Sequence, residues 1–367
     1  MTLPCAATAD PKGRLLVVGA TGFIGRFVAE ASIESGRPTY IFVRPGSGFS
    51  PSKANAVKSL QDKGAIVLQV RAYHPCPGFN ENGRNLHGLI NDRELMEKIL
   101  KENKIETVVS VVGGAAIMDQ VALVEAIRAV GTIKRFLPSE FGHDIDRANP
   151  VEPGLQMYKE KRVIRRMVEG YKVPYTYICC NSVASWPYCD NTHPSDVLPP
   201  LNQFQIYGDG SVKAYFVAGS DIGKFTVKAA DDVRTLNTSV HFRPACNMYN
   251  MNELAALWEA KIGRTLPRVT ISEEDLLDMA AENDIPRSIV ASFTHDIFIK
   301  GCQTNFLIGG PKDVEVGDLY PDEMFRTLDE CFEDFVIMME KPADAEAVKA
   351  AAPNGTVEHI TIAAKCS

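Results

Sequence analysis

Over roughly the first 180 residues the apolar positions gather in short continuous runs, and between the runs they recur every three or four residues. The runs "RLLVVG", "TYIFVR", "GAIVLQV", "TVVSVVG", "RFLPSEF" and "YTYICC" predict six strands. Side chains alternate between the two faces of a strand, so a run apolar at every position suits a strand covered on both sides. The stretches between, such as "DRELMEKILKEN" and "IMDQVALVEAIRAVG", carry helical spacing, and Phe23, Phe27 and Ala31 fall on one side of a first helix. Strands and helices alternating in this order predict an α/β fold over residues 10–180, a doubly wound parallel sheet of the Rossmann, dinucleotide-binding kind.

Two regions break the rhythm. After "GAIVLQV", the run "RAYHPCPGFNENGRNLH" is rich in Pro, Gly and Asn. So long a stretch without periodicity is uncommon inside a compact domain, and residues 68–87 are expected to be a disordered or poorly packed surface insertion whose His74 and His87 have no ligand role. Beyond "YTYICC", the prolines of "NSVASWPYCDNTHPSDVLPPLNQFQIYGDG" forbid a long helix or a central strand, and irregular segments of this kind commonly wall a pocket. Residues 181–340 are read as a smaller α/β substrate-binding region, part of which packs back on the first domain. It contains helices at "MNELAALWEAKIG" and "SEEDLLDMAAEN", the second with Ser272 as N-cap. The Ala-rich, weakly patterned residues 341–367 predict a frayed or disordered tail.

Composition narrows the function classes. A net charge of −7 argues against a broad basic face tracking nucleic-acid phosphates. No stretch approaches the roughly 18 apolar residues of a spanning helix, the first residues lack the apolar core of a signal peptide, and "AAKCS" is no prenylation box. A soluble cytoplasmic chain is expected. Nine cysteines without a C-x-x-C pair predict reduced thiols, mostly small core residues, and no metal site.

Gly19, Gly22 and Gly25 in "GATGFIG" lie between the first strand and the first helix. Glycines there let the chain turn tightly and approach a pyrophosphate, which the amides at the helix N-terminus can hold. Thr21, Phe23 and Ile24, interleaved with the glycines, are further cofactor candidates. An NAD site would normally carry a carboxylate about 20 residues later, for the ribose 2′-hydroxyl. This chain has Arg44 in that place, and Lys53 with Ser50 or Ser52 can complete a set suited to a 2′-phosphate; NADPH is the expected cofactor. The alternative is that Arg44 and Lys53 are solvated loop charges.

None of the eleven tyrosines has a lysine four residues later, so the usual Tyr-x-x-x-Lys pair of short-chain reductases is missing. Tyr158 comes nearest, with Arg162 at that position. In "GLQMYKEKRVIRRMVEG", at about 100° per residue, Met157, Lys161, Ile164 and Val168 share a stripe while Lys159, Arg162 and Arg166 point away. A lysine desolvated on that stripe loses basicity and can work as a general base near neutrality; alternatively its stem packs and its amine reaches water. His143, in "SEFGHD", leaves the carboxyl end of the fifth strand, where ligands of doubly wound sheets bind. Position alone fits a reagent and a structural histidine equally.

The segments "GATGFIG", "RFLPSEFGHD", "YICCNSVASWPY", "THPSDVLPP", "YGDG" and "FTHDIFIKG" resemble the plant isoflavone-reductase-like family of NADPH-dependent phenylpropanoid reductases, of the NmrA type. The resemblance covers roughly residues 11–67 and 88–338; the insertion at 68–87 departs from it. The family lysine maps onto Lys161. Other branches carry asparagine where this chain has His143, and the histidine form is similar to the branch that reduces flavan-3,4-diols. The resemblance implies a small-molecule flavonoid substrate, such as leucocyanidin, reduced by NADPH to a flavan-3-ol with loss of water from C4. Lys161 would be the base at a phenolic hydroxyl and His143 the acid at the departing hydroxyl. Met157, Tyr158, Ser182 and Ala184 would contact the flavan rings, with plain packing an equal alternative for Met157 and Ala184. A sister reductase of isoflavones or benzylic ethers, and a catalytically silent NADP(H) sensor, are the rival readings.

Overall fold

The computed structural model describes residues 12–43, 51–69, 90–184 and 201–340. The six predicted strands form as β1 (Leu15–Val18), β2 (Thr39–Val43), β3 (Ile66–Gln69), β4 (Thr107–Ser110), β5 (Arg135–Leu137) and β6 (Thr176–Cys179). Between them lie α1 (Phe23–Glu34), α2 (Pro51–Asp62), α3 (Arg93–Glu102), α4 (Gln120–Val130) and α5 (Gly154–Gly170). Five strands pair in the order β3-β2-β1-β4-β5, all parallel, with Leu15–Val18 hydrogen-bonded to β2 on one side and β4 on the other. A single parallel bridge, Phe136 to Tyr175, carries the sheet on to β6. The third strand continues through Leu68 and Gln69, so the expected insertion cannot begin at residue 68; the rest of it lies outside the described residues, as does the predicted tail.

The consecutive apolar positions do what their pattern requires. Leu15 and Val17 point to one face with Ile41, Val109, Leu137 and Ile178, beneath Val28 and Ala29 of α1. Leu16 and Val18 point to the other with Tyr40, Phe42, Val108 and Phe136, beneath Met96 of α3, Leu123 of α4 and Ile164 and Val168 of α5. Leu15 and Leu16 are fully buried, each contributing about 1.5–3 kcal/mol relative to exposure.

The remaining elements are β7 (Ser182–Val183), β8 (Phe204–Tyr207), β9 (Ala214–Val217), α6 (Gly219–Asp231), β10 (Thr238–His241), β11 (Met248–Tyr249), α7 (Met251–Ile262), β12 (Arg268–Ile271), α8 (Glu273–Ala281), α9 (Arg287–Phe298), β13 (Asp313–Glu315), α10 (Val316–Leu319) and α11 (Leu328–Glu340). β10 and β13 extend the large sheet beyond β6, again in parallel. β7-β9-β11 and β8-β12 form two small sheets, packed with α7, α9 and α11 around Phe204, Phe216, Trp258, Phe298 and Phe332. Ser272 caps α8 as expected, accepting from the Asp275 amide while the Asp275 carboxylate accepts from the Ser272 amide. Among the described residues no helix is long and apolar enough to cross a membrane, and Cys179, Cys180, Cys302 and Cys331 are buried free thiols, with Cys246 exposed.

Candidate active site

The strand order reverses between β1 and β4, and the glycine turn leaves β1 at that point. Gly19 has φ +89°, and a Cβ on it would lie 2.3 Å from the Val111 carbonyl oxygen that follows β4. A Cβ on Gly25 would come within 2.1 Å of the Gly19 oxygen, so these two glycines are required by the close passage of turn, helix and strand. Gly22 is exposed and begins α1 with no side-chain cap. An open helix N-terminus behind a glycine turn fits a pyrophosphate. Thr21, Phe23 and Ile24 are half-buried around it; Phe23 meets Phe27 edge-on at 5.2 Å, and the Arg26 guanidinium covers both rings. Ser52 and Lys53 lie exposed in the first turn of α2, just past β2. Arg44 lies outside the described residues.

Hydrogen bonds lead from this turn along the carboxyl edge of the sheet. Val112, beside the Gly19 contact, accepts through its carbonyl from the Ser139 hydroxyl, and the Ser139 amide donates to Gln120 Oε1 at 2.9 Å. Ser139 opens the loop after β5. The next residue, Glu140, offers its backbone oxygen to Lys161 Nζ at 2.7 Å. Phe141 follows with φ +41°, a left-handed conformation strained for an aromatic residue, its amide held by Ile178 O at 3.0 Å. The loop then presents His143. The Asn181 amide donates to Gly142 O at 2.9 Å, which brings β7, and with it Ser182 and Ala184, against the same loop.

Lys161, His143, Met157, Tyr158, Ser182 and Ala184 are therefore gathered at the carboxyl ends of β5 and β6. Lys161 is half-buried. Burial pulls its amine below the ordinary lysine value, and the Glu140 carboxylate partly opposes this. His143 is buried against Tyr158 and Phe293, whose own rings stack at 5.0 Å. Its Nδ1 is hydrogen-bonded to the Tyr158 hydroxyl. Burial, reinforced by the charge of Lys161, lowers His143 to about 4. An imidazole so placed is neutral at physiological pH. Burial raises the Tyr158 phenol well above its usual range, so the pair is uncharged. Ser182 Oγ accepts from Gln303 Nε2 at 2.7 Å, Met157 packs half-buried on the core around Phe204 and Trp258, and Ala184 lies within it.

The sequence pattern misplaces Arg162, places Arg166 correctly and passes over Arg165. Arg162 is not solvated: its Nε donates to Ile145 O at 2.7 Å and its Nη2 to Ala148 O at 2.8 Å. Arg166 keeps to the surface, pairing with Asp146 at 2.7 Å. Arg165, which periodicity does not single out, is among the largest fully buried side chains. It meets Glu140 through Nε and Nη2, both at 3.0 Å, and Asp144 through Nη1 at 2.8 Å. Asp144, Cys179 and His241 bring ligand atoms within 4.8 Å of one another, yet the Asp144 carboxylate is already paired with Arg165 and Arg147, which leaves little charge for a cation.

The pattern of the NmrA-like family matches residues 11–332. The chain belongs to the NmrA-like family. It is 61% identical over 339 residues to a leucoanthocyanidin reductase of Desmodium uncinatum, covering 92% of this chain and 84% of that one. It is 42% identical to a phenylcoumaran benzylic ether reductase of Ginkgo biloba, covering 89% and 99%. The structure of a binary complex of leucoanthocyanidin reductase with NADPH from Vitis vinifera superposes with TM-score 0.80 at 63% identity, over 89% of this chain and all of that one. The Rossmann-type α/β fold expected from the strand rhythm is the fold of these NmrA-like reductases.

Proposed function

We propose that this protein is an NADPH-dependent leucoanthocyanidin reductase, acting in the cytoplasm on a flavan-3,4-diol to give a flavan-3-ol. The observation that carries the reading is the Lys161 amine, desolvated on the Glu140 carbonyl and next to His143, on the same sheet edge as a glycine turn built for a dinucleotide. High identity to a leucoanthocyanidin reductase over nearly the whole chain supports the same substrate class.

NADPH would be held by the α1 N-terminus and the turn at Gly19, Thr21, Gly22, Phe23, Ile24 and Gly25, with Arg44, Ser52 and Lys53 reading its 2′-phosphate. When bound it supplies hydride, and the protein supplies position and proton control. Lys161, as the free amine, takes the proton of a phenolic hydroxyl para to C4. The phenolate electrons then expel the C4 hydroxyl, leaving a quinone methide that accepts hydride at C4. His143 reaches the departing hydroxyl. Its imidazole is neutral at rest, so it meets the departing hydroxide as a hydrogen-bond donor through Nε2–H, and the proton that completes the water comes from solvent. Tyr158 fixes the ring through Nδ1, which aims Nε2 at the substrate side. Met157, Tyr158 and Ala184 offer apolar surface to the flavan rings, while Ser182, whose oxygen is engaged by Gln303, has its own proton to donate.

The test is incubation with leucocyanidin and NADPH, with an isoflavone and a benzylic ether in parallel. Catechin formation with matching loss of the reduced-nicotinamide absorbance is expected from the diol alone. Turnover of the ether or the isoflavone in its place would move the protein to a sister activity, and cofactor binding without oxidation on any of the three would leave a sensor.

A further inference from the structure

Lys161 and Arg165 stand one turn apart on α5, and both address the loop that follows β5. Lys161 takes the backbone oxygen of Glu140; Arg165 takes its carboxylate with two parallel hydrogen bonds, and reaches past His143 to Asp144 and to Asp146 Oδ2 at 3.0 Å. The guanidinium also lies over the Tyr177 ring, 4.5 Å from its centre. Its side chain is only 2% exposed, and those of Glu140 and Asp144 1% and 5%. Such a group, buried with its partners, holds its geometry because every donor is engaged. The loop between the two clamped carboxylates includes the left-handed Phe141, a conformation that persists only where its surroundings impose it.

We propose that Arg165 is a positioning residue of the active site: by gripping Glu140 and Asp144 on either side of His143, it holds the Glu140 carbonyl under the Lys161 amine and sets the separation of Lys161 from His143. The proposal rests on the reading of Lys161 as the base. It explains why a fully buried guanidinium is kept on the helix that carries the reagent, although a well-packed apolar pair of similar volume is often no less stable than a buried ion pair. After burial itself, the Glu140 carboxylate raises the basicity of the amine and the Arg165 guanidinium lowers it, so both halves of the clamp are electrostatic neighbours of Lys161.

The test compares Arg165→Lys, Glu140→Asp and the uncharged double variant Arg165→Met/Glu140→Gln with the wild-type chain. For each, kcat and KM are measured across pH with the flavan-diol and NADPH, alongside Tm and the pH dependence of Lys161 modification by an amine-directed acylating reagent, followed by mass spectrometry. In the folded double variant kcat is expected to fall about 10²-fold, the scale of a misplacement of about 1 Å, with KM for NADPH within about twofold of wild type. The midpoint of Lys161 modification should move, and Arg165→Lys should recover part of the rate. Wild-type kcat with an unmoved midpoint in the double variant would overturn the proposal. So would a kcat loss that merely tracks Tm and NADPH binding. Should the double variant fail to fold, Glu140→Asp, which keeps every charge and shortens one arm, decides: an unchanged kcat and midpoint in that variant overturns the proposal too. If the wild-type chain does not reduce the diol, the functional reading fails by itself, while a displaced midpoint in the variants still supports the clamp and an unmoved one still refutes it.

Discussion

Replacing His143 by Asn should make the stability of the protein less sensitive to acid, by an amount that follows from where the ring sits. The imidazole is buried against Tyr158 and Phe293 and titrates at about 4, against 6.5 in an unfolded chain. Its folded-state pKa is depressed, so the folded chain binds fewer protons than the unfolded chain between those two values. The stability due to the neutral ring is thus fully present above about pH 6.5 and is lost progressively as pH falls towards 4. The whole loss is about 3 kcal/mol below both values, and about 2 kcal/mol of it has accrued by pH 5. The check is urea unfolding of both proteins at about pH 8 and about pH 5, followed by fluorescence, to which the fully buried Trp258 contributes. Asparagine does not titrate there. The stability gap between wild type and His143→Asn should therefore change by about 2 kcal/mol between the two conditions, in favour of the variant at low pH. An equal acid response in the two proteins, or an imidazole that titrates near 6.5 by NMR, would refute both the enclosure of His143 and its neutrality at rest.

Lys161→Ala should lower kcat by about 10²–10⁴-fold while NADPH still binds, read by stopped-flow turnover and fluorescence titration; wild-type turnover would remove the base from the scheme. Because the amine must be unprotonated to act and burial depresses its pKa, wild-type kcat should fall as pH drops through that depressed value, and this limb should be missing from the residual activity of Lys161→Ala. Gly25→Ala places a Cβ 2.1 Å from the Gly19 oxygen, and backbone there cannot yield cheaply. A stability loss of about 1–3 kcal/mol and NADPH affinity at least about tenfold weaker are expected by calorimetry. Arg44→Asp should abolish the preference for NADPH over NADH in steady-state kinetics, and undiminished preference would refute the 2′-phosphate reading.

What could be read from the chain depends on how local the signal is. The six strands are legible because a strand covered on both faces must be apolar at every position, and "LLVV" or "TYIFV" satisfies this alone. β10 and β13 are not, since "TSVH" and "DVE" are largely polar, and take their places by pairing beyond β6. The same limit applies within the site. Lys161 and His143 are visible as a lysine on an apolar stripe and a histidine past a strand end. That Tyr158 is the partner of His143 follows from the packing of α5 against the loop after β5, where Phe141, not the neighbouring Gly142, takes the left-handed conformation. Gln303, which engages Ser182 from 121 residues away, has no local mark. Arg165, four residues after Lys161, falls beside the apolar stripe, but nothing local shows what could neutralise it there, and its burial is possible only because Glu140 and Asp144 are brought to it by the fold.

The electrostatics of the site follow from one cause. Enclosure at the carboxyl edge of β5 and β6 disfavours charge, and it pushes each nearby reagent towards its neutral form: Lys161 and His143 downwards, Tyr158 upwards, and the Cys180 thiol up to about 12. A site of this kind is poorly matched to an anionic substrate, which would meet no standing positive charge from its imidazole and a weakened one from its amine. It is well matched to a neutral polyphenol that ionises only inside. Proton transfer from the phenol to Lys161 creates an ammonium and a phenolate together, so little net charge is added to the enclosure. Expulsion of the C4 hydroxyl spends the phenolate, and the negative charge passes to the leaving oxygen, which in the proposed reaction His143 would meet with a hydrogen bond. On this account the low pKa of His143 keeps it a neutral hydrogen-bond donor to the departing oxygen, so that the pocket adds no standing charge beside the quinone methide when it forms.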